Sequence, residues 1–336
     1  MGIGAVDRFQ RRHPVIGLPL AVIYKFVDDQ GNMLAAMITY YAFVAIFPLL
    51  LLASSIFGFV LQGRPDLSDA ALESALAQFP IIGDQLGQPE GLQGSIAAVV
   101  VGALAAVYGA LGLGQAIQNV TNTAWAVPRN SRPNPFLMRL RSLFLLLGAG
   151  AGVLGLSVFS ALGSSTEMFG PNVDATIQLL IAGTTVVAVG VVLTWLFRLA
   201  AARELTWRRA VPGALLTAVG WQVLQLGGAA YAQHVLVETS SLNQTFGLVL
   251  GLIGLIFVAA VIAVLGVELN VVLARRLWPR ALLTPFTDAV DLTDADRRAY
   301  ALYAQTQRHK GFETVTVTFE GRDGDTVEIA QLPKEK

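Results

Sequence analysis

Six long apolar stretches run through this chain, over residues 33–61, 95–120, 142–163, 177–199, 211–237 and 246–273, and none carries a charge in its middle. About 20 apolar residues suffice to cross the roughly 30 Å hydrocarbon core of a bilayer as an α-helix. The pattern therefore predicts an all-α polytopic membrane protein with six transmembrane helices. A straight helix over the first stretch would be about 43 Å long. It should tilt, bend at Pro48 or project beyond the bilayer. It is too long for a cleaved signal peptide, and a basic preamble precedes it at some distance.

Shorter patterns fill the spaces between and beyond these spans. Residues 15–27 are apolar but brief and include Lys25, which predicts an interfacial helix, with a partly buried core helix as the alternative. The first two spans are joined by the longest loop, over residues 62–94, where Leu67, Ala71, Leu72, Leu76 and Phe79 fall at helical spacing among five acids. A short amphipathic helix on the outer surface or over the bundle mouth fits that stripe. After residue 280 the composition turns soluble, with ten acids against seven bases. Thr293 is a plausible N-cap for a helix reaching about Arg308, and residues 314–320 and 326–330 flank a Gly-Arg-Asp-Gly-Asp turn as a β-hairpin would. A lone hairpin is marginal and should dock on something. The predicted organisation is a cytoplasmic N-terminus over residues 1–32, a membrane domain over 33–280, and a small cytoplasmic tail of helix plus β-hairpin over 281–336.

Charge gives this bundle its direction. Fifteen Arg and Lys residues flank the N-terminus, the second and fourth loops and the end of span six, whereas the three alternate loops together hold only Arg64. By the positive-inside rule both termini lie in the cytoplasm. Only 14% of residues are charged and mean hydropathy is +0.60, so most of the surface faces something other than water. The formal net charge of zero argues against a nucleic-acid partner. The chain has no Cys and only three scattered His, so no thiolate site, disulfide framework, metal or cofactor is expected. No hydrolase elbow, zincin helix, phosphate loop or dinucleotide fingerprint is present, and the chain reads as a non-enzyme. The glycine pairs Gly148/Gly152 and Gly247/Gly251 have the spacing of close helix packing, within one molecule or between two.

Polar side chains inside spans are costly in lipid, so they are the best available site candidates. Gln222 and Gln225 share one face of span five with Ala218, Ala229 and Gln233. Gln115, Asn119 and Asn122 line one face at the end of span two, and Glu268 and Asn270 close span six. For Glu268 the default is an ion pair with one of the arginines that follow it, and a cation or proton site is the sharper alternative. Tyr40, Tyr41 and Pro48 mark span one, with Tyr40 about 10 Å into the bilayer, where its hydroxyl should face protein or water. Together these residues could line one cavity open to the cytoplasm and inner leaflet. Arg129, Arg139, Arg208 and Arg275 could hold phosphate headgroups at its rim.

The segment Ala35-Ala-Met-Ile-Thr-Tyr40-Tyr41-Ala-Phe-Val-Ala-Ile-Phe47-Pro48-Leu resembles the first-span signature of the YihY/BrkB membrane proteins. Asn122-Thr-Ala-Trp125-Ala-Val-Pro128, Pro212-Gly213-Ala, Trp221, Phe246-Gly247 and Gly266-Val-Glu268-Leu-Asn270 match that family's pattern, over about residues 20–280. Phe246 departs from it, since the family commonly has Tyr there. The resemblance implies a bacterial inner-membrane protein with six spans, linked to envelope integrity or virulence. The old ribonuclease label of some members finds no catalytic cluster here to support it. The expected function is a transporter or flippase-like carrier of a lipid or other amphiphilic envelope component, with membrane lipids as partners. The alternatives are a scaffold that recruits a partner, or a second copy of itself, through its tail, and a small-solute channel.

Overall fold

The computed structural model describes residues 3–60, 96–164, 175–202, 205–238, 241–282, 286–288, 290–320 and 326–328. The predicted amphipathic helix in residues 62–94 lies outside them. Six long helices form the body: α3 (Gly31–Val60), α4 (Ile96–Ala124), α5 (Pro135–Ser164), α6 (Ala175–Ala200), α7 (Trp207–Glu238) and α8 (Ser241–Arg275). They run to 26–35 residues, or about 39–53 Å each. Among the described residues, four stretches are long and apolar enough to cross a membrane: Pro135–Val153, Gly183–Ala200, Trp207–Gly228 and Val249–Arg275. Two short helices, α1 (Ile3–Arg12) and α2 (Pro14–Asp28), precede the body, and α9 (Asp294–Thr306) follows it. Two three-residue strands, β1 (Thr318–Glu320) and β2 (Thr326–Glu328), pair antiparallel with Phe319 opposite Val327.

Each long helix packs on its sequence neighbour, and α8 returns to lie against α3, α4 and α2 as well as α7. Close approaches are made where side chains are missing. A Cβ on Gly213 of α7 would stand 1.8 Å from the Gly266 carbonyl of α8, so the two backbones touch there. On α5, a Cβ on Gly148 would stand 2.0 Å from the Trp195 ring of α6, and one on Gly152 would stand 2.6 Å from Val192. That glycine pair serves packing within the molecule.

Helices α1, α2 and α9 and the C-terminal ends of α4, α6 and α8 meet at one end of the bundle, here called the terminal face. Its core joins Ala21 and Val22 of α2, Trp125 and Val127 after α4, Ala210 and Ala214 of α7, Val267 and Val271 of α8, and Ala299 and Leu302 of α9. Helix α2 buries Gly17, Ala21, Val22, Tyr24, Lys25 and Phe26 and leaves Val15, Ile16, Ile23 and Val27 exposed. It is two-faced, with one side in the protein core and an apolar side outside.

Local chemistry ends these helices. The Val127 N–H donates to the Asn122 carbonyl and the Ala126 N–H to that of Thr123, closing α4 as a Schellman motif with Ala126 at φ 52°. A non-glycine residue in that left-handed region costs about 1–2 kcal/mol. Pro128 then prevents helix from resuming. Helix α8 ends the same way, with Arg276 at φ 54° and the Leu277 N–H donating to Val272. Thr293 caps α9 in a capping box with Asp296, as the sequence predicts.

Candidate functional site

The densest polar chemistry among the described residues lies at the terminal face, where α2 meets the last turns of α8. Apolar side chains at Ala21, Val22 and Phe26 seat α2 against the bundle, and the helical repeat then turns Lys25 inward, leaving it 1% exposed. Its ammonium bonds Asp29 one turn on, and lies 3.4 Å from Oε2 of Glu268, which is 0% exposed. The expected arginine partner of Glu268 is thus replaced by a lysine from a helix outside the spans. The aromatic face of Tyr303 on α9 lies 5.0 Å from the same ammonium, a cation–π contact. Burial works against the charge of Lys25, but its contacts with Glu268 and Asp29 outweigh it and hold the group above the ordinary lysine range.

A second buried centre adjoins the first. Arg280, just beyond α8, is wholly buried; its Nε bonds Asp296 of α9 and its Nη2 lies 3.1 Å from Asp28 of α2. The other Asp296 oxygen accepts from the Ala281 and Thr293 N–H groups, both at 2.9 Å. The Tyr303 hydroxyl donates to Asp28 at 3.3 Å, and the Gln10 amide of α1 donates to the Arg280 carbonyl at 2.7 Å. Burial nonetheless lifts the Asp28 carboxyl above its ordinary range, despite the arginine facing it. Asp7 closes the set, accepting from the Leu282 N–H at 2.9 Å and pairing with Arg11 at 2.7 Å. Helices α1, α2, α8 and α9 are tied by one network. Removing one partner from such a buried pair typically costs about 3–5 kcal/mol.

Asn270 performs a different task. Its Oδ1 accepts from the Gly213 N–H at 2.7 Å and its Nδ2 donates to the Ala210 carbonyl at 3.1 Å. Pro212, lacking an N–H, interrupts the bonding of the first turns of α7. Asn270 therefore latches that segment to α8 with both ends of its amide engaged. Asn122, near the end of α4, is buried with its Oδ1 unpaired.

The remaining sequence candidates are dispersed. Asn119 accepts from Arg132 at 3.4 Å, and Gln115 is half-buried on the same helix. Gln222 and Gln225 are half-buried on α7. Tyr40 is exposed, while Tyr41 packs edge-on to it at 5.1 Å and against Gly112 of α4. The side chains of Pro48 and Gln233 lie outside those described. Arg129, Arg139 and Arg208 are exposed, and Arg275 is half-buried.

Sequence reasoning missed Lys25, Asp28, Asp29, Arg280 and Asp296 as a unit. The Lys25/Asp29 spacing within an apolar helix was the available signal. Gln118 was missed too; fully buried, it donates to Met138 and Ser142 of α5, both at 2.9 Å, and lies on the helix face beside the one singled out.

Long apolar helices carrying a buried ion cluster at one end define a multi-pass membrane protein. Residues 22–286 match the family described as Virulence factor BrkB, and the chain belongs to that family. It is similar to Inner membrane protein YhjD of Escherichia coli (strain K12), at 24% identity over 264 residues, covering 74% of this chain and 78% of the relative. No solved structure matches it.

Proposed function

We propose that the chain crosses a bacterial inner membrane six times with both termini in the cytoplasm, and carries a lipid or other amphiphilic envelope component across it. The observation that supports this most is the Lys25–Asp29–Glu268 cluster, buried where α2 covers the end of a span. A face that only had to stay shut would be closed as firmly by apolar packing, since buried ion pairs gain little over hydrophobic replacements. Charges that recover water on separating make a closure that can reopen. On this reading α2 and the last turns of α8 form a cytoplasmic gate. The half-buried Gln222 and Gln225 of α7 lie on the path beyond it, with the exposed Arg129, Arg139 and Arg208 at its rim. The work done is binding and movement, not bond-breaking.

Transbilayer movement of labelled phospholipids in proteoliposomes tests this. Wild-type protein should accelerate it, and a folded Gln222→Leu/Gln225→Leu variant should not. Movement no faster than in empty liposomes, across several headgroups, would refute the carrier reading.

A second reading, an assembly factor acting through its tail, draws on Phe312, which is 90% exposed beyond α9. Helix α9 is engaged by the bundle and Arg308 bonds Asn130, so on this reading recruitment falls to the residues that follow. Truncation there should abolish function under this reading and spare it under the first.

A further inference from the structure

We propose that Glu268, with Asp29 and Lys25, forms a proton-binding site at the terminal-face end of α8. Two carboxylates and one ammonium, each at most a few per cent exposed, meet in one cluster, leaving one negative charge in excess if all are ionised. The groups around them do not correct the excess. Arg280 is engaged by Asp28 and Asp296, a second set with two acids and one base, and Tyr303 contributes a neutral ring and hydroxyl. Nothing charged reaches the cluster from α3 or α7 among the described residues. An uncompensated carboxylate in such surroundings takes up a proton instead of remaining ionised.

Geometry selects the acceptor. Asp29 takes the lysine's hydrogen bond, whereas neither oxygen of Glu268 has a hydrogen-bond partner; its Oε2 has only the 3.4 Å ion-pair contact. The same ammonium touches both acids, so Glu268 lies beside Asp29 and is placed to donate to it once protonated. Two carboxylates facing one another call for a shared proton, and one proton on Glu268 both neutralises the cluster and supplies the missing bond. When α2 lifts and water enters, the Glu268 O–H bond breaks, the proton passes to water and the electron pair stays on the carboxylate. That this release accompanies movement of cargo rests on the carrier reading; the presence of the proton does not.

Infrared difference spectroscopy on the full-length protein in lipid nanodiscs tests it without any transport assay. Wild type minus Glu268→Gln at neutral pH should show one protonated-carboxyl band that shifts in D2O. Wild type minus Asp29→Asn should show the same band, because one acid against one base needs no proton; this variant also guards against misfolding of the first, and thermal melts check both. Lys25→Met should gain a second carboxyl band. A wild type with no such band, a band that survives in Asp29→Asn, or a band that sodium or potassium abolishes in favour of a bound cation would each overturn the proposal.

Discussion

The terminal face and the body of the bundle are built on different physical principles. At the terminal face Lys25, Glu268, Arg280 and Asp296 are each 0–1% exposed and joined by directed polar bonds across four helices. Along the body, Phe136, Leu140, Leu143, Phe144 and Leu147 of α5 and Val223 and Leu226 of α7 are exposed, and Gly150, Gly227 and Gly254 have open space beside them. Lipid tails are as apolar as leucine, so apolar burial gives helices little reason to associate within a bilayer. Specific joints do that work, and here they concentrate at one end. The body is left with smooth, exchangeable surface, while the terminal face holds the elements that fix the arrangement.

The contrast breaks most severely at the α7/α8 crossing. Gly213→Leu should prevent assembly, because its first added carbon would stand 1.8 Å from the Gly266 carbonyl. Gly254→Ala in open space should instead leave the melting point unchanged or raise it by the equivalent of about 1 kcal/mol. Comparing monodisperse yield and thermal melts of the two variants checks this. Next in size is Arg280→Met, which strands Asp28 and Asp296 and should cost about 3–5 kcal/mol. Arg280→Lys should restore only part, since an ammonium cannot reach both acids through a planar fork.

The smallest effect concerns acid. Burial opposes the charge of Asp7, but bonds from the Leu282 N–H, Arg11 and Gln10 outweigh it and hold its carboxyl below the ordinary range. The native state therefore binds that proton more weakly than the unfolded chain. The stabilisation is complete above the unfolded carboxylate range and is lost as pH falls through the native value. Asp7→Asn should flatten the acid limb of a melting-versus-pH curve, while a body substitution such as Gly254→Ala should leave its shape alone.

What sequence could show follows the same division. Apolar runs announce long helices because length and hydropathy are local properties, and Thr293 with Asp296 announces its own cap. The motif Asn122–Pro128 carries its physical meaning in the structure, as a Schellman turn that ends α4. The terminal-face network escaped because its members lie far apart in the chain: Asp28 and Arg280 are separated by 252 positions. Lys25 reads in the sequence as a topological charge, and its role as a buried partner depends on the packing of α2 against α8. Asn270 looked like a cavity residue because an intramembrane amide signals a need for hydrogen bonds, and sequence does not say that Pro212 and Gly213 create the matching need.

The central claim is that charge, more than apolar fit, closes the terminal face. It is tested most directly by a double-mutant cycle of Lys25→Met and Asp29→Asn, followed by thermal melts in lipid nanodiscs. Lys25→Met alone should be strongly destabilising because it strands the Asp29 carboxylate, and adding Asp29→Asn should recover part of the loss, with a coupling of about 0.5–3 kcal/mol. Losses that simply add, or a Lys25→Met variant as stable as wild type, would contradict it.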